Sequence, residues 1–197
     1  MASPTPAVGD RVADILQAAC RVVLRDGAHG LRMASVAHEA AVSKALVHYY
    51  FQTRQELLRA AFAYSGAQWD DAVSHELART STGARRLERF LLASVDPSAP
   101  FGEHRALWNE VWSSLRVDAD LRPLVHDAYQ DWVGQVVRLI DEGREDGSIS
   151  QTVDPREAGW RLAAVVDGLD SMLYLGLVDR RRARRLARQS IERELLA

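Results

Sequence analysis

Apolar residues recur at three- and four-residue steps along almost the whole chain, and nearly every such run is bounded by a residue that starts or stops a helix. That pattern predicts an all-α protein of about nine helices and argues against a sheet. No Asn-Gly or Asp-Gly turn separates two alternating β-branched runs, since Asp146-Gly147 follows a helical stretch. The first helix is expected over 10–25, with Val12, Ile15, Leu16, Ala19 and Val23 on one face and Gly27 as its stop. Two short helices follow at about 33–40 and 43–49. A long one starts at Thr53, where Thr53 and Glu56 have the spacing of a capping box. It carries Leu57, Ala61, Phe62, Trp69, Val73 and Leu77 on one side, up to a break at Ser81 to Gly83. Helical runs around Leu87–Val95 and His104–Leu115 come next, then a helix over about 120–146 with Pro123 in its first turn. Asp154, Pro155 and Glu157 start another, expected to reach Leu177, and Asp179 caps a last one to about Leu196.

With 197 residues, of which 47% are hydrophobic, the chain can bury a core as one large or two small domains. A net charge of −2 argues against wholesale disorder and against a uniformly basic coat. Cys20 is the single cysteine, so no intrachain disulfide and no cysteine-based zinc site can form. Residues 1–9 read as a loose tail without the features of a signal peptide. The longest apolar stretch, 162–178, is interrupted by Asp167 and Asp170 and falls short of the roughly 20 residues a membrane span needs. A soluble, cytoplasmic protein with no membrane partner is expected.

The most informative segment lies between Val36 and Phe51. Two short helices separated by about three residues, with Ala37, Ala40, Val42 and Val47 placed to pack on the first helix, have the form of a helix-turn-helix. The second helix of such a pair enters the DNA major groove. Ser43 can cap it, which points the positive end of its dipole at phosphate. Of 25 basic residues only Lys44 is lysine, and it sits on the first turn of this helix. His48, Tyr49, Tyr50 and Thr53 can donate to phosphates, while Ala45 and Leu46 can touch thymine methyls or sugars.

Gly30-Leu31, Val36-Ala37, Ala40-Ala41-Val42-Ser43, Tyr50-Phe51, Arg54 and Leu57-Leu58 together resemble the DNA-binding domain of the tetracycline-repressor (TetR) family over residues 10–62. The later helices, with Asp154-Pro155 and Asp167-Gly168-Leu169, resemble the ligand-binding half of its members, particularly the choline-responsive type. The resemblance implies a helix-turn-helix domain over 10–54 and a ligand-binding and dimerisation bundle over 55–197. It also implies a homodimer joined through its last two helices and an operator of palindromic double-stranded DNA. Lys44, Ala45, Leu46, His48, Tyr49, Tyr50 and Arg54 are the residues it turns towards DNA. Four departures stand out: Ala41 replaces the usual turn glycine, Arg32 a usual threonine cap, His48 a common tyrosine and Arg54 a common lysine. Residues 1–54 hold six basic and four acidic residues, a net of +2, and the remainder nineteen and twenty-three, a net of −4. A positive head on a negative body orients a protein on a polyanion.

The helix expected from Pro155 is apolar on nearly all sides and has to be covered on two faces. Its Asp167 and Asp170 are expected to pair at the dimer interface with arginines of the run Arg180 to Arg185, the sharper alternative being that one of them lines a pocket for a cationic ligand. Trp69, Phe90, Trp108, Trp112, Tyr129 and Trp132 lie on inward faces and, with Asp167, are candidates to line an effector pocket. Ordinary core packing is the other reading of the aromatic residues. The arginine run reads as a solvated or ion-paired face rather than a second nucleic-acid patch. Six histidines without metal-ligand spacing and the lack of a glycine-rich phosphate loop argue against an enzyme, a metal site or a cofactor. His104 with Glu110, or His126 with Asp127, is the residual metal alternative. A helical small-molecule carrier would use the same bundle, but gains nothing from the Lys/Tyr/Tyr face. The reading as a whole is a transcriptional repressor released from DNA by an unidentified small-molecule effector.

Overall fold

The computed structural model describes residues 8–79, 82–96, 98, 101–115 and 118–195. Among these, nine α-helices follow one another with no strand: α1 (Val8–Gly30), α2 (Met33–Glu39), α3 (Lys44–Tyr50), α4 (Arg54–Leu77), α5 (Gly83–Ser94), α6 (Phe101–Ser114), α7 (Arg122–Glu145), α8 (Pro155–Tyr174) and α9 (Arg180–Leu195). A short 3-10 turn, Ala119–Leu121, precedes α7. Of the expected tail, residues 1–7 lie outside the described residues and Val8 and Gly9 already belong to α1. Ser81 and Leu196, expected as a break and a helix end, lie outside as well. No described helix is long and apolar enough to cross a membrane. The chain forms two compact units, one from Met1–Trp69 with Glu103–Val125, the other from Asp70–Gly102 with His126–Ala197.

In the first unit, α1 packs on α2 and α2 on α3. Ile15, Ala18, Ala19, Val22 and Val23 form the buried stripe of α1, and Val36, Ala37 and Val47 are buried in the helix-turn-helix. Gly27 interrupts α1 with φ 75°, a backbone state that side chains other than glycine adopt only under strain. Arg32, in place of a capping residue, makes no side-chain hydrogen bond to α2. Ser43 does cap α3, its hydroxyl accepting from Leu46 N at 3.1 Å, which is worth about 1 kcal/mol. At Thr53 only half of the expected box forms. Thr53 Oγ1 accepts from Glu56 N at 3.0 Å, but Glu56 reaches past Thr53 to the Gln52 N–H at 2.8 Å.

Two helices end in the same paired hydrogen bonds around a left-handed residue. At α8, Gly176 (φ 69°) lets its own N–H donate to Leu173 O and that of Leu177 to Met172 O, which stops the helix short of the expected Leu177. At α2, Ala41 N donates to His38 O at 3.1 Å and Val42 N to Ala37 O at 2.9 Å around Ala41 itself, with φ 53°. Ala41 is the sole non-glycine residue of positive φ among the described residues. A left-handed alanine costs about 1 kcal/mol relative to glycine. Ala41→Gly is therefore expected to raise stability by about 1 kcal/mol and the thermal midpoint by about 3 °C. Calorimetry showing no rise would mean that the turn is not strained.

In the second unit, α9 packs against α8 and α5. Ala183, Ala187, Ile191 and Leu195 of α9 are buried at four-residue steps, and Leu162, Ala163, Val166 and Leu169 of α8 and Leu87, Phe90 and Leu91 of α5 are buried as well. Asp154 caps α8 through Arg156 N and Glu157 N, and Asp179 caps α9 through Arg182 N at 2.7 Å. The start of α5 is held by the loop after α7, where Asp146 Oδ2 accepts from Gly83 N at 2.6 Å and Ser148 Oγ from Ala84 N at 3.0 Å.

Candidate functional site

The geometry of α3 follows from one buried residue and one cap. Val47, fully buried, fixes which side of the helix faces the protein, and the Ser43 cap fixes where the helix begins. Lys44, Ala45, His48 and Tyr49 are thereby exposed and Leu46 and Tyr50 half-buried. Tyr49 is 75% exposed, with its ring edge-on to Tyr50 at a centroid distance of 5.0 Å. That contact holds two phenol rings on the same short helix as Lys44 at low conformational-entropy cost.

Arg54 is placed differently from these six. Its Nη2 donates to Ala28 O at 2.7 Å and its Nη1 lies 3.5 Å from Asp118 Oδ2, so the guanidinium is held by its own unit. Family position alone could not reveal this, because it gives a residue's place on a helix and not its partners.

The aromatic candidates form two groups, one in each unit, and Trp112, expected on an inward face, is instead 49% exposed. In the first unit, Trp69 packs near His104 (6.0 Å), His104 near Phe62 (5.8 Å), and Trp108 against both Phe62 (5.6 Å) and Trp112 (5.8 Å). His104 shares a hydrogen bond of 3.0 Å with Ser65 Oγ, and burial lowers its pKa to about 4, so it is neutral near pH 7. His126 lies 3.1 Å from Asp127 on the surface. No described group of three potential ligands could hold a metal ion. The Cys20 thiol donates to Ala61 O, and burial pushes its pKa up to about 11, which leaves it protonated and a poor nucleophile.

In the second unit, Phe90, Trp132, Tyr129 and Trp160 form a continuous aromatic chain with centroid distances of 5.8, 6.2 and 6.0 Å. Trp132 Nε1 donates to Ser94 Oγ at 3.3 Å. The Tyr129 hydroxyl donates to Asp167 Oδ2 at 2.5 Å. Burial raises the pKa of Asp167 above the usual carboxylate range; the bond from Tyr129 opposes that rise and Asp170 adds to it. Sequence reasoning missed Trp160, although it lies seven residues before Asp167 and therefore on the same face of α8 two turns away.

Within the described chain, Asp167 bonds to Tyr129 and not to the arginine run. Arg180 and Arg184 instead grip Asp96, at 2.6 and 3.0 Å, and Arg188 binds Glu88 at 2.7 Å. Steps of four align these three arginines along one face of α9, towards acids of α5 and the residues just after it. Asp167 is left to the aromatic chain.

Against this geometry, two family models match. Residues 15–61 match the model for bacterial regulatory proteins of the tetR family, and residues 83–196 match that for the C-terminal domain of BetI-type transcriptional repressors. The chain belongs to the TetR family. It is a DNA-binding transcriptional regulator. Among relatives, the regulator PksA of Bacillus subtilis is 29% identical over 90% of this chain and 86% of its own length. The regulator BetI of Burkholderia thailandensis is 26% identical over 92% of both chains. A TetR-family structure from Rhodococcus sp. superposes with a TM-score of 0.83 at 27% identity, covering 94% of this chain and 99% of the other. A transcriptional regulator from Saccharomonospora viridis, solved in complex with choline, gives 0.79 at 26% identity over 93% and 96%. The TetR-family assignment gives α2 and α3 the roles of a helix-turn-helix and puts α5 to α9 in the BetI-type half.

Proposed function

We propose that the protein is a cytoplasmic, homodimeric repressor that leaves a palindromic operator when an organic cation binds its C-terminal half. The observation that carries the DNA-reading part is the face of α3, where Lys44, Tyr49 and Tyr50 stand on a helix anchored by Val47 and capped by Ser43. Ala45, Leu46 and His48 complete the contact set. Lys44→Ala is expected to weaken operator binding about tenfold and to lower the salt slope by about one, as for a lost phosphate contact. Tyr50→Ala removes a hydroxyl and the support of Tyr49 and should weaken binding by a similar factor. Unchanged binding by both variants would remove α3 from the interface.

The dimer is supported by an apolar surface on and after α8, where Trp160 and Met172 are 44% and 41% exposed and Leu175 and Leu177 each 66%. Such a strip has to be covered in a soluble regulator. Two recognition helices reach successive major grooves about 34 Å apart only as a pair. A monomer mass at micromolar concentration in analytical ultracentrifugation would contradict this.

The effector class is supported by a carboxylate, Asp167, that accepts from the Tyr129 hydroxyl while the rings of Trp132 and Trp160 pack near that of Tyr129, together with the choline complex of the Saccharomonospora regulator. Release follows if the cation binds the DNA-incompetent state more tightly. Choline titrated into the protein is expected to quench tryptophan fluorescence. Asp167→Asn should weaken that binding at least tenfold. Because the pKa of Asp167 is raised, the ionised form is lost as pH falls through values above the ordinary 3.8, and affinity should decline there. An Asp167→Asn protein that binds choline as the parent does would overturn this assignment.

A further inference from the structure

We propose that Arg54 positions the recognition helix as a strut between α1 and the Asp118–Leu121 segment, and is not a contact to DNA phosphate. The proposal rests on the DNA-binding reading above. Asp118 is the N-cap of the 3-10 turn, yet its carboxylate caps nothing there. An aspartate at such a position ordinarily accepts from the backbone amides that follow. Here the side chain, 14% exposed, turns to Arg54 Nη1, while Asp118 N donates to Ser114 O at the end of α6. The other arm of Arg54 donates to Ala28 O, just past the break at Gly27. One guanidinium thus joins the end of α1, the first residue of α4 and the residue that precedes the 3-10 turn.

Two neighbours reinforce the junction. Gln55 Nε2 donates to Asp120 Oδ2 at 3.0 Å, and Arg59 Nη2 to Asp120 O at 3.4 Å. Leu121 is fully buried and anchors the segment. The first two turns of α4 are therefore tied to residues 118–121 at three positions. Only Phe51, Gln52 and Thr53 separate α4 from Tyr50 at the end of α3, so the placement of the first turn of α4 sets that of the DNA-reading face. Both arms of the fork have partners inside the protein, and a planar guanidinium holds its donors in a fixed, wide fork that a compact ammonium does not reproduce. Asp118 also places a negative charge beside Arg54, which opposes a role as a phosphate contact.

The two roles differ in what they do to binding. A phosphate contact strengthens all duplexes alike and contributes about one to the salt slope. A strut improves the fit to the right duplex only. The test measures the affinity of the full-length protein, at several salt concentrations, for the duplex it selects from a randomised library and for a scrambled duplex. Asp118→Asn and Arg54→Lys are each expected to lower affinity for the selected duplex about tenfold. Affinity for the scrambled duplex and the salt slope should not change, and the double variant should be no worse than either single one. Asp118→Asn that binds as tightly as the parent or more tightly, Arg54→Lys that behaves as the parent, or Arg54→Ala that loses about one from the slope would each overturn the strut. Arg54→Lys keeps the charge, so a misfolded Arg54→Ala leaves the other two variants to decide. A parent protein that selects no duplex would instead sink the DNA-binding reading itself.

Discussion

Gly83→Ala is expected to destabilise the protein by about 3 kcal/mol or more, because the added methyl has nowhere to go. A Cβ at Gly83 would lie 2.2 Å from Gly143 N and 2.4 Å from Gly143 Cα, both of them backbone atoms of α7. Flexible side chains can yield to such an intrusion, but a helix backbone cannot without moving bodily. The start of α5 would have to lift away from α7 by about 1 Å to restore ordinary contact distances. That motion breaks the bonds from Gly83 N to Asp146 and from Ala84 N to Ser148, so two amides at a helix start lose their caps together. In a chain of this size the loss corresponds to a fall of roughly 10 °C in the thermal midpoint, followed by far-ultraviolet circular dichroism. Gly134→Ala is the control, since its methyl would meet only the end of Arg138 at 3.6 Å and should cost nothing. A midpoint for Gly83→Ala within 2 °C or so of the parent, on the same scale, would show that α5 and α7 do not pack as described.

The second large effect belongs to Asp96. Its side chain is 9% exposed, and one oxygen accepts from Ser98 N and Oγ while the other faces Arg180 and Arg184. Burial pushes its pKa up, but the two bonds from Ser98 and the Arg180 cation outweigh that and hold it below the usual carboxylate range. Asp96→Asn removes the charge and leaves both arginines facing an amide. Because those arginines are half and one-third exposed, the cost is discounted from that of a fully buried pair to about 2 kcal/mol. A carboxylate with a depressed folded pKa stabilises fully above its unfolded value and loses that contribution as pH falls through the folded one. The parent should therefore lose stability from about pH 4 downward, starting from the ordinary 3.8. Asp96→Asn should show a shallower acid transition. Equal acid profiles for the two proteins would mean that Asp96 is not the group that titrates.

Local signals carried most of the helix architecture, because caps and periodicity act over three or four residues. Ser43, Asp154 and Asp179 cap the helices they were expected to start, and the strain at Ala41 was legible from one missing glycine. Errors lie where a partner is distant or where two local options compete. Glu56 chose the Gln52 amide over that of Thr53, a difference of one residue that spacing cannot resolve. Helical spacing carries the expected end of α8 too far, because the stop lies in Gly176, inside an apolar run that keeps that spacing. Arg180 and Arg184 find an aspartate 84 and 88 residues away, and no pattern in the sequence links them to Asp96 rather than to Asp167. For the candidate sites, the exposed face of α3 followed from Val47 and the cap. The ties of Arg54 and the place of Trp160 depend on tertiary neighbours.

The grip of α9 on Asp96 also bears on the order in which the chain can fold as it is made. Helices α1 to α3 find one another within the first fifty or so residues, whereas Asp96 meets its cations only when residues 180 and 184 have emerged from the ribosome. For most of synthesis that carboxylate belongs to a unit that cannot yet close around it. A transcript truncated before α9 would therefore yield an aggregation-prone product rather than a smaller regulator.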